Sequence, residues 1–283
     1  MGNTLEQIAQ QLKSSQKKVQ LIYAFNGTGK TRLSKEFKNV NFPQNEEEES
    51  EDTRIKILYY NAFTEDLFSW DNDEKKLKIK VNSFTEWILK DQGQDQNIIT
   101  SFQQFSGSKI TPKFNEENLI LANGESSENK RFSNVEFLYS DDGGLNNIKI
   151  SKGEESNFIW SIFYILMEEV LIELNKSELE YDDTNPFHNL EYIFIDDPVS
   201  SLDENHLIEL AVNLSKLIKS STSNVKFILS THNPLFYNVL YNELGLKSKK
   251  GSYMLIKNED GSFGLDEKHG DSNKSFSYHL YLR

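Results

Sequence analysis

The chain has 283 residues, of which 37% are hydrophobic and 27% charged, with a formal net charge of −13, a composition that suits a soluble α/β domain with its own core. This acidity argues against non-specific binding to nucleic acid or to an anionic membrane, because phosphate contacts need clustered Lys and Arg. The absence of cysteine excludes disulfides, thiol nucleophiles and cysteine-based zinc sites, and fits a cytoplasmic location.

In chain order, the first 18 residues are too polar for a secretory signal, and Glu6 stands where a myristoylation signal needs Ser or Thr. Residues 19–24 (VQLIYA) form the first expected strand, followed by the loop AFNGTGKT and a helix from Lys30. An acidic run at 43–53 reads as an exposed loop before a second strand at 55–60 (IKILYY). Residues 61–142 are rich in Phe, Asn and Gln with weak periodicity and read as an inserted helical or mixed lobe, with a polar loop at 122–130. The apolar stretch 158–167 is too short to cross a bilayer and is followed by Glu168 and Glu169, so it predicts a buried helix. Strands follow at 192–195 (YIFI) and 226–230 (KFILS). Between them, Leu207, Leu210, Ala211, Leu214, Leu217 and Ile218 recur at helical spacing over 203–220, where Ser201 and Glu204 suggest a capping box. Strands alternating with helices predict an α/β fold with a mainly parallel sheet built from a core of 1–60 and 143–283, and the motifs that follow resemble those of P-loop ATPases of the ABC type.

Four motifs carry the chemistry. In the loop Ala24–Thr31, Gly27 and Gly29 let backbone N–H groups close around phosphate oxygens, Lys30 reaches the β- and γ-phosphates, and the Thr31 hydroxyl can bind Mg²⁺. Asn26, Thr28 and Arg32 complete the expected nucleotide-binding set. Asp196 ends an apolar strand where a carboxylate can hold Mg²⁺, and Asp197 follows where ABC ATPases usually carry a catalytic glutamate. The run continues through Ser200 and Asp203 as a D-loop. Ser151-Lys152-Gly153-Glu154 opens a helix and resembles the ABC signature, which binds the γ-phosphate held by a second subunit. His232 follows a strand at the place of the ABC switch histidine, while His188, His206, His269 and His279 share no metal spacing. This set predicts hydrolysis in which Asp197 orients or deprotonates water, with Lys30, His232 and Mg²⁺ stabilising charge. Asp is one methylene shorter than Glu, so slow turnover is expected. A signature completed in trans implies a head-to-tail dimer or a higher homo-oligomer. For the Q-loop, Asn61 and Gln92 are the two candidates.

The blocks VQLIYAFNGTGKTRLS, ILYYNAFTEDLFSWDND, SKGEESNFIW, IFIDDPVSSLDENH and the C-terminal GDSNKSFSYHLYLR resemble those of the PrrC-type anticodon nuclease family. The resemblance covers almost the whole chain. It implies an ABC-type regulatory region that uses ATP or GTP, senses dTTP as an effector, and controls cleavage of a tRNA-Lys anticodon loop in antiviral defence. It also implies a type I restriction–modification complex as partner, no membrane, and nuclease residues downstream of the segment ending at Arg283. Two other readings compete: a DNA-repair or chromosome-type ABC ATPase without nuclease activity, and the nucleotide-binding subunit of a transporter. The first would be favoured by long heptad repeats between Gly29 and Ser151, which the sequence lacks. Asp197 and the unusual insert speak against the second.

Overall fold

Short apolar runs bounded by polar breaks become strands, and apolar residues at helical spacing become helices, in a computed structural model that describes residues 2–41, 55–60, 67–80, 83–120, 126–141, 144–176, 185–198 and 204–268. The elements begin with α1 (Leu5–Ser14), β1 (Val19–Tyr23), α2 (Lys30–Asn41) and β2 (Ile57–Tyr60). Next come β3 (Phe68–Asp71), β4 (Lys76–Ile79), α3 (Ser83–Glu86) running into a π-helical turn (Trp87–Asp91), α4 (Asp95–Ser106), β5 (Thr111–Ile120), β6 (Ser126–Asp141) and β7 (Gly144–Asn147). The chain continues with α5 (Lys152–Leu174), β8 (Tyr192–Asp196), α6 (Glu204–Ser220) and β9 (Lys226–Thr231). It closes with α7 (Pro234–Glu243), α8 (Leu246–Lys249), β10 (Ser252–Lys257) and β11 (Phe263–Glu267). The acidic run at 43–53, the Ser201 cap and the C-terminal block from 270 lie outside the described residues. By contact the chain divides into Met1–Ala62 with Ile172–Arg283, and Phe63–Leu171.

The first of these holds a six-stranded sheet in the order β11-β10-β1-β9-β8-β2. Every neighbouring pair is parallel except β10 with β11. The central strands are apolar on both faces because helices cover both. On one face α1 and α2 bury Leu5, Ile8, Leu12, Leu33 and Phe37 against Ile22, Phe194 and Ile228. Phe37 meets the Tyr192 ring edge-on at 5.1 Å. Helix α1 is set by a full capping box, in which the Thr4 side chain accepts from the Gln7 N–H and Gln7 returns the bond to the Thr4 N–H. On α6, Leu207, Leu210, Ala211, Leu214, Leu217 and Ile218 are all buried, as their spacing predicts. No described helix is long and apolar enough to cross a membrane.

The second is built on an antiparallel sheet, β3-β4-β6-β5, with β7 added to β6. It is wider than the 61–142 insert read from the sequence, because the sheet shares an aromatic core with α5. Phe158 of α5 lies 5.1 Å from the Phe137 ring and 5.7 Å from Phe102. The expected polar loop at 122–130 is corrected in part: from Ser126 the backbone pairs with β5, and ladder hydrogen bonds do not require apolar side chains. Two register shifts between β5 and β6, at Asn115/Glu116 and Asn118/Ile120, break the alternation of faces and account for the weak periodicity. In the β3–β4 hairpin, the Asp71 carboxylate accepts from the N–H groups of Asp73 at 3.0 Å and Glu74 at 3.1 Å. It also pairs with Lys78 at 2.7 Å.

Two outcomes follow. Phe194 is fully buried, so Phe194→Ala should lower stability by roughly 3–5 kcal/mol in urea unfolding, and a loss below about 1 kcal/mol would refute this packing. The bond from Lys78, then those from Glu74 and Asp73, hold the Asp71 carboxyl at about 2. A depressed carboxyl stabilises the hairpin above its unfolded value of about 3.9 and stops doing so as pH falls toward 2. NMR titration of the Asp71 carboxyl carbon should show that midpoint, and Lys78→Ala should move it up toward about 3.9.

Candidate nucleotide-binding site

Three parallel strands, β1, β8 and β9, end at the same edge of the sheet, in register at Tyr23 beside Thr231 and Asp196 beside Ser230. Ligands of open α/β sheets sit outside such carboxyl ends. Beyond β1, Ala24 keeps the ladder by donating to the Thr231 carbonyl at 3.0 Å. The loop then turns through Gly27 at φ +80 and Gly29 at φ +108, conformations that side-chain-bearing residues rarely adopt. The first turn of α2 follows, with the Leu33 N–H donating to the Gly29 carbonyl at 2.8 Å. Asn26 and Gly27 are exposed, Thr28 and Gly29 half-buried, and Lys30 buried.

Lys30 Nζ lies 3.5 Å from the Ala24 carbonyl oxygen and 3.7 Å from Asp197 Oδ2. Asp197 also accepts from the His232 ring Nδ1, from the Thr231 hydroxyl at 3.1 Å and from the His232 N–H at 3.4 Å. Its backbone has φ +55 while its N–H still donates to the Ser230 carbonyl at 2.8 Å. Pro198 follows and disfavours a right-handed helical turn at Asp197. The left-handed turn instead brings the carboxylate back toward β9. Burial pushes the Asp197 carboxyl up, but His232 and then Lys30 outweigh it and the net shift is downward. Asp196 is 2% exposed and accepts from the Thr31 hydroxyl at 2.7 Å and from Ser230. Here burial dominates and, with the adjacent Asp197 charge, raises the carboxyl against those two hydrogen bonds and Lys30. One acid of the pair is therefore shifted down by its contacts with His232 and Lys30, and the other is shifted up, chiefly by burial.

Thus Asn26, Gly27, Thr28, Gly29, Lys30, Thr31, Asp196, Asp197 and His232 share one edge, and Arg32 extends it along α2. Asn233 steadies the His232 turn by accepting from the N–H groups of Leu235 and Phe236, capping α7. The sequence reading missed two partners, Ser230 and Thr231. Their signal was present, since hydroxyl residues follow apolar ones at the end of a strand. The D-loop residues Ser200 and Asp203 and the Q-loop candidate Asn61 lie outside the described residues. Ser151 to Glu154 and Gln92 fall within Phe63–Leu171. There the Ser151 hydroxyl and N–H both donate to Glu154 at 2.8 Å, and the Glu154 N–H donates back at 3.2 Å. The motif is thus also the capping box that starts α5, with Lys152 paired to Glu155 at 2.9 Å. The Gln92 N–H caps the π-helical turn on the Trp87 carbonyl.

A glycine-rich loop between strand and helix, facing paired acids on a parallel sheet, defines a P-loop nucleoside triphosphatase of the ABC type. Residues 125–281 match the family model described as an AAA domain. The chain is 52% identical to an anticodon nuclease of Escherichia coli over an alignment covering 100% of this chain and 76% of that protein. The chain belongs to the anticodon nuclease family. Among solved structures it is similar to an Smc head domain with coiled coil and joint from Pyrococcus yayanosii, at 14% identity and TM-score 0.37, over 68% of this chain and 29% of that one. A Pyrococcus furiosus Smc head bound to the C-terminal domain of ScpA gives 13% identity and TM-score 0.36, over 71% of this chain and 40% of that one.

A Cβ at Gly27 would meet no atom within 4 Å, so the cost of Gly27→Ala is backbone strain alone. We expect a loss of about 1–2 kcal/mol in urea unfolding. An unchanged midpoint would mean that the loop does not need its left-handed turn.

Proposed function

We propose that the chain binds ATP or GTP with Mg²⁺ and hydrolyses it slowly, as the regulatory region of an anticodon nuclease. The observation that carries the hydrolytic part is the meeting of Lys30, Asp197 and His232 at one sheet edge. In this reading the loop amides of Asn26 to Gly29 and the Lys30 ammonium hold the phosphates. Asp197, kept ionised by His232 and Lys30, accepts a proton from or orients the attacking water. His232 is then placed to stabilise charge at the γ-phosphate.

The Thr31 hydroxyl and the Asp196 carboxylate are hard oxygen donors 2.7 Å apart, and Asp196 is 2% exposed. That donor set fits Mg²⁺, which takes one or two protein oxygens and completes its shell with phosphate and water. When bound, the ion would neutralise charge on the phosphates. Ser151, Lys152, Gly153 and Glu154 would serve a second copy in trans. The Ser151 hydroxyl would then exchange its bond to Glu154 for one to phosphate.

Cleavage of an anticodon loop by the whole protein is supported by the name of the Escherichia coli relative, an anticodon nuclease, and tRNA-Lys as its substrate is part of this proposal. A type I restriction–modification complex as partner, dTTP as effector and a defensive role belong to the same proposal. The identity to an anticodon nuclease favours this reading over a DNA-repair or chromosome-type ATPase.

Phosphate release under saturating Mg·ATP or Mg·GTP tests the site. Asp197→Asn should retain nucleotide binding and lose turnover by about 10²–10⁴-fold, the usual contribution of a general base. Asp197→Glu should turn over faster than the natural chain. Full turnover in Asp197→Asn, or no gain in Asp197→Glu, would remove Asp197 from its role.

A further inference from the structure

The phosphate-binding edge has a direction. Asp196, Asp197 and His232 all lie on the β9–β8 side of β1, so the terminal phosphate points that way. The other end of the nucleotide must leave the loop on the opposite side of β1, where β10 and β11 continue the sheet. On that side there is a cleft of about 560 Å³ lined by Thr4, Arg32, Glu36, Gly261 and Phe263, among others. Resting on the nucleotide-binding reading above, we infer that this cleft holds the nucleoside of the bound triphosphate, with the exposed Arg32 as its principal contact and the largely buried Phe263 ring, 6% exposed, as the wall behind it.

Four observations meet there. Phe263 abuts the phosphate loop, since a Cβ at Gly29 would lie 3.4 Å from its ring. The Arg32 guanidinium sits 6.0 Å from the centre of the same ring, and Arg32 itself is exposed. It follows Thr31 directly on α2, so the planar cation stands where the loop gives way to the cleft. The wall is built rather than incidental. Asn3 and Phe263 exchange both backbone hydrogen bonds at 2.8 Å, which fastens the segment before α1 to β11, and Gly2 packs so closely on Ser262 that a Cβ there would require the Ser262 side chain to shift. A flat, electron-poor guanidinium beside an apolar ring suits a purine base, which stacks on one and packs against the other. The carboxylate of Glu36 on the rim is an acceptor for base or ribose donors.

The test compares Mg·ATP, Mg·GTP and Mg·tripolyphosphate binding by calorimetry to the natural chain, Arg32→Lys, Phe263→Leu and Lys30→Ala. Arg32→Lys keeps the charge near the phosphates and removes the plane, while Phe263→Leu keeps the core filled. The natural chain should bind the nucleotides more tightly than tripolyphosphate. Both cleft variants should weaken nucleotide binding by about five- to tenfold, between the values of an exposed and a fully desolvated cation–π contact, and leave tripolyphosphate within about twofold. Lys30→Ala should weaken all three ligands. Unchanged nucleotide affinity in both cleft variants, with Lys30→Ala still impaired, would overturn the cleft assignment and spare the phosphate site. Equal loss for nucleotide and tripolyphosphate in both would also overturn it. Unimpaired binding by Lys30→Ala would overturn the nucleotide-binding reading itself, and the cleft with it.

Discussion

Two adjacent carboxylates in a largely dry position are the constraint on which the rest of this structure depends. Burying a charge costs several kcal/mol unless donors or cations answer it. Asp196 and Asp197 are answered by Thr31, Ser230, Thr231, His232 and Lys30. Ser230, Thr231 and His232 come from the end of β9 and Lys30 and Thr31 from the first turn of α2, so the acids at the end of β8 tie β9 and the loop after β1 to one edge. The apolar faces of the sheet supply most of the stability, while the acids decide which strands must be neighbours.

The answer is uneven, and the unevenness is chemically useful. Asp197 is shifted down by its bonds to His232 and by the Lys30 ammonium, whereas Asp196 is shifted up by burial, with hydroxyl donors and a like charge beside it. Two residues joined by one peptide bond are thereby separated into a ready base and a site that attracts a cation. The left-handed turn at Asp197 makes this possible, because it swings one carboxylate toward β9 while the other stays against α2. Such a turn stores strain, of about 1–3 kcal/mol at a non-glycine residue, at the point where the chemistry is proposed.

Much of this was legible in the sequence because the nucleotide-binding core follows local rules. Apolar runs at 19–24, 192–195 and 226–230 are followed within three residues by Gly27, Asp196 and His232, and the structure lines them up at one edge. Other parts were illegible for physical reasons. The β5–β6 hairpin loses its alternation at two register shifts, and its polar residues pair through backbone alone. Helix α1 carries Leu5, Ile8 and Leu12 on one face with a complete cap, but its polar remainder drew attention only to what it was not. Strand β10 is a short apolar run far from any motif, and its place beside β1 is a matter of tertiary pairing. Ser151 to Glu154 shows the reverse difficulty. The same four residues satisfy a helix cap and a phosphate-binding pattern, and sequence alone cannot separate uses that share one geometry.

The bridge between Asn3 and Phe263 has a consequence of its own. It sits one residue before the Thr4 cap that starts α1, and α1 packs on α2, the helix that begins with Lys30. Three structural tasks therefore hang on four consecutive residues at the chain start: closing the sheet, starting a helix and walling a cleft. The segment from Gly2 to Leu5 acts as a clasp on the phosphate-binding helix, so a strain applied there is felt at the far side of the domain's reactive edge.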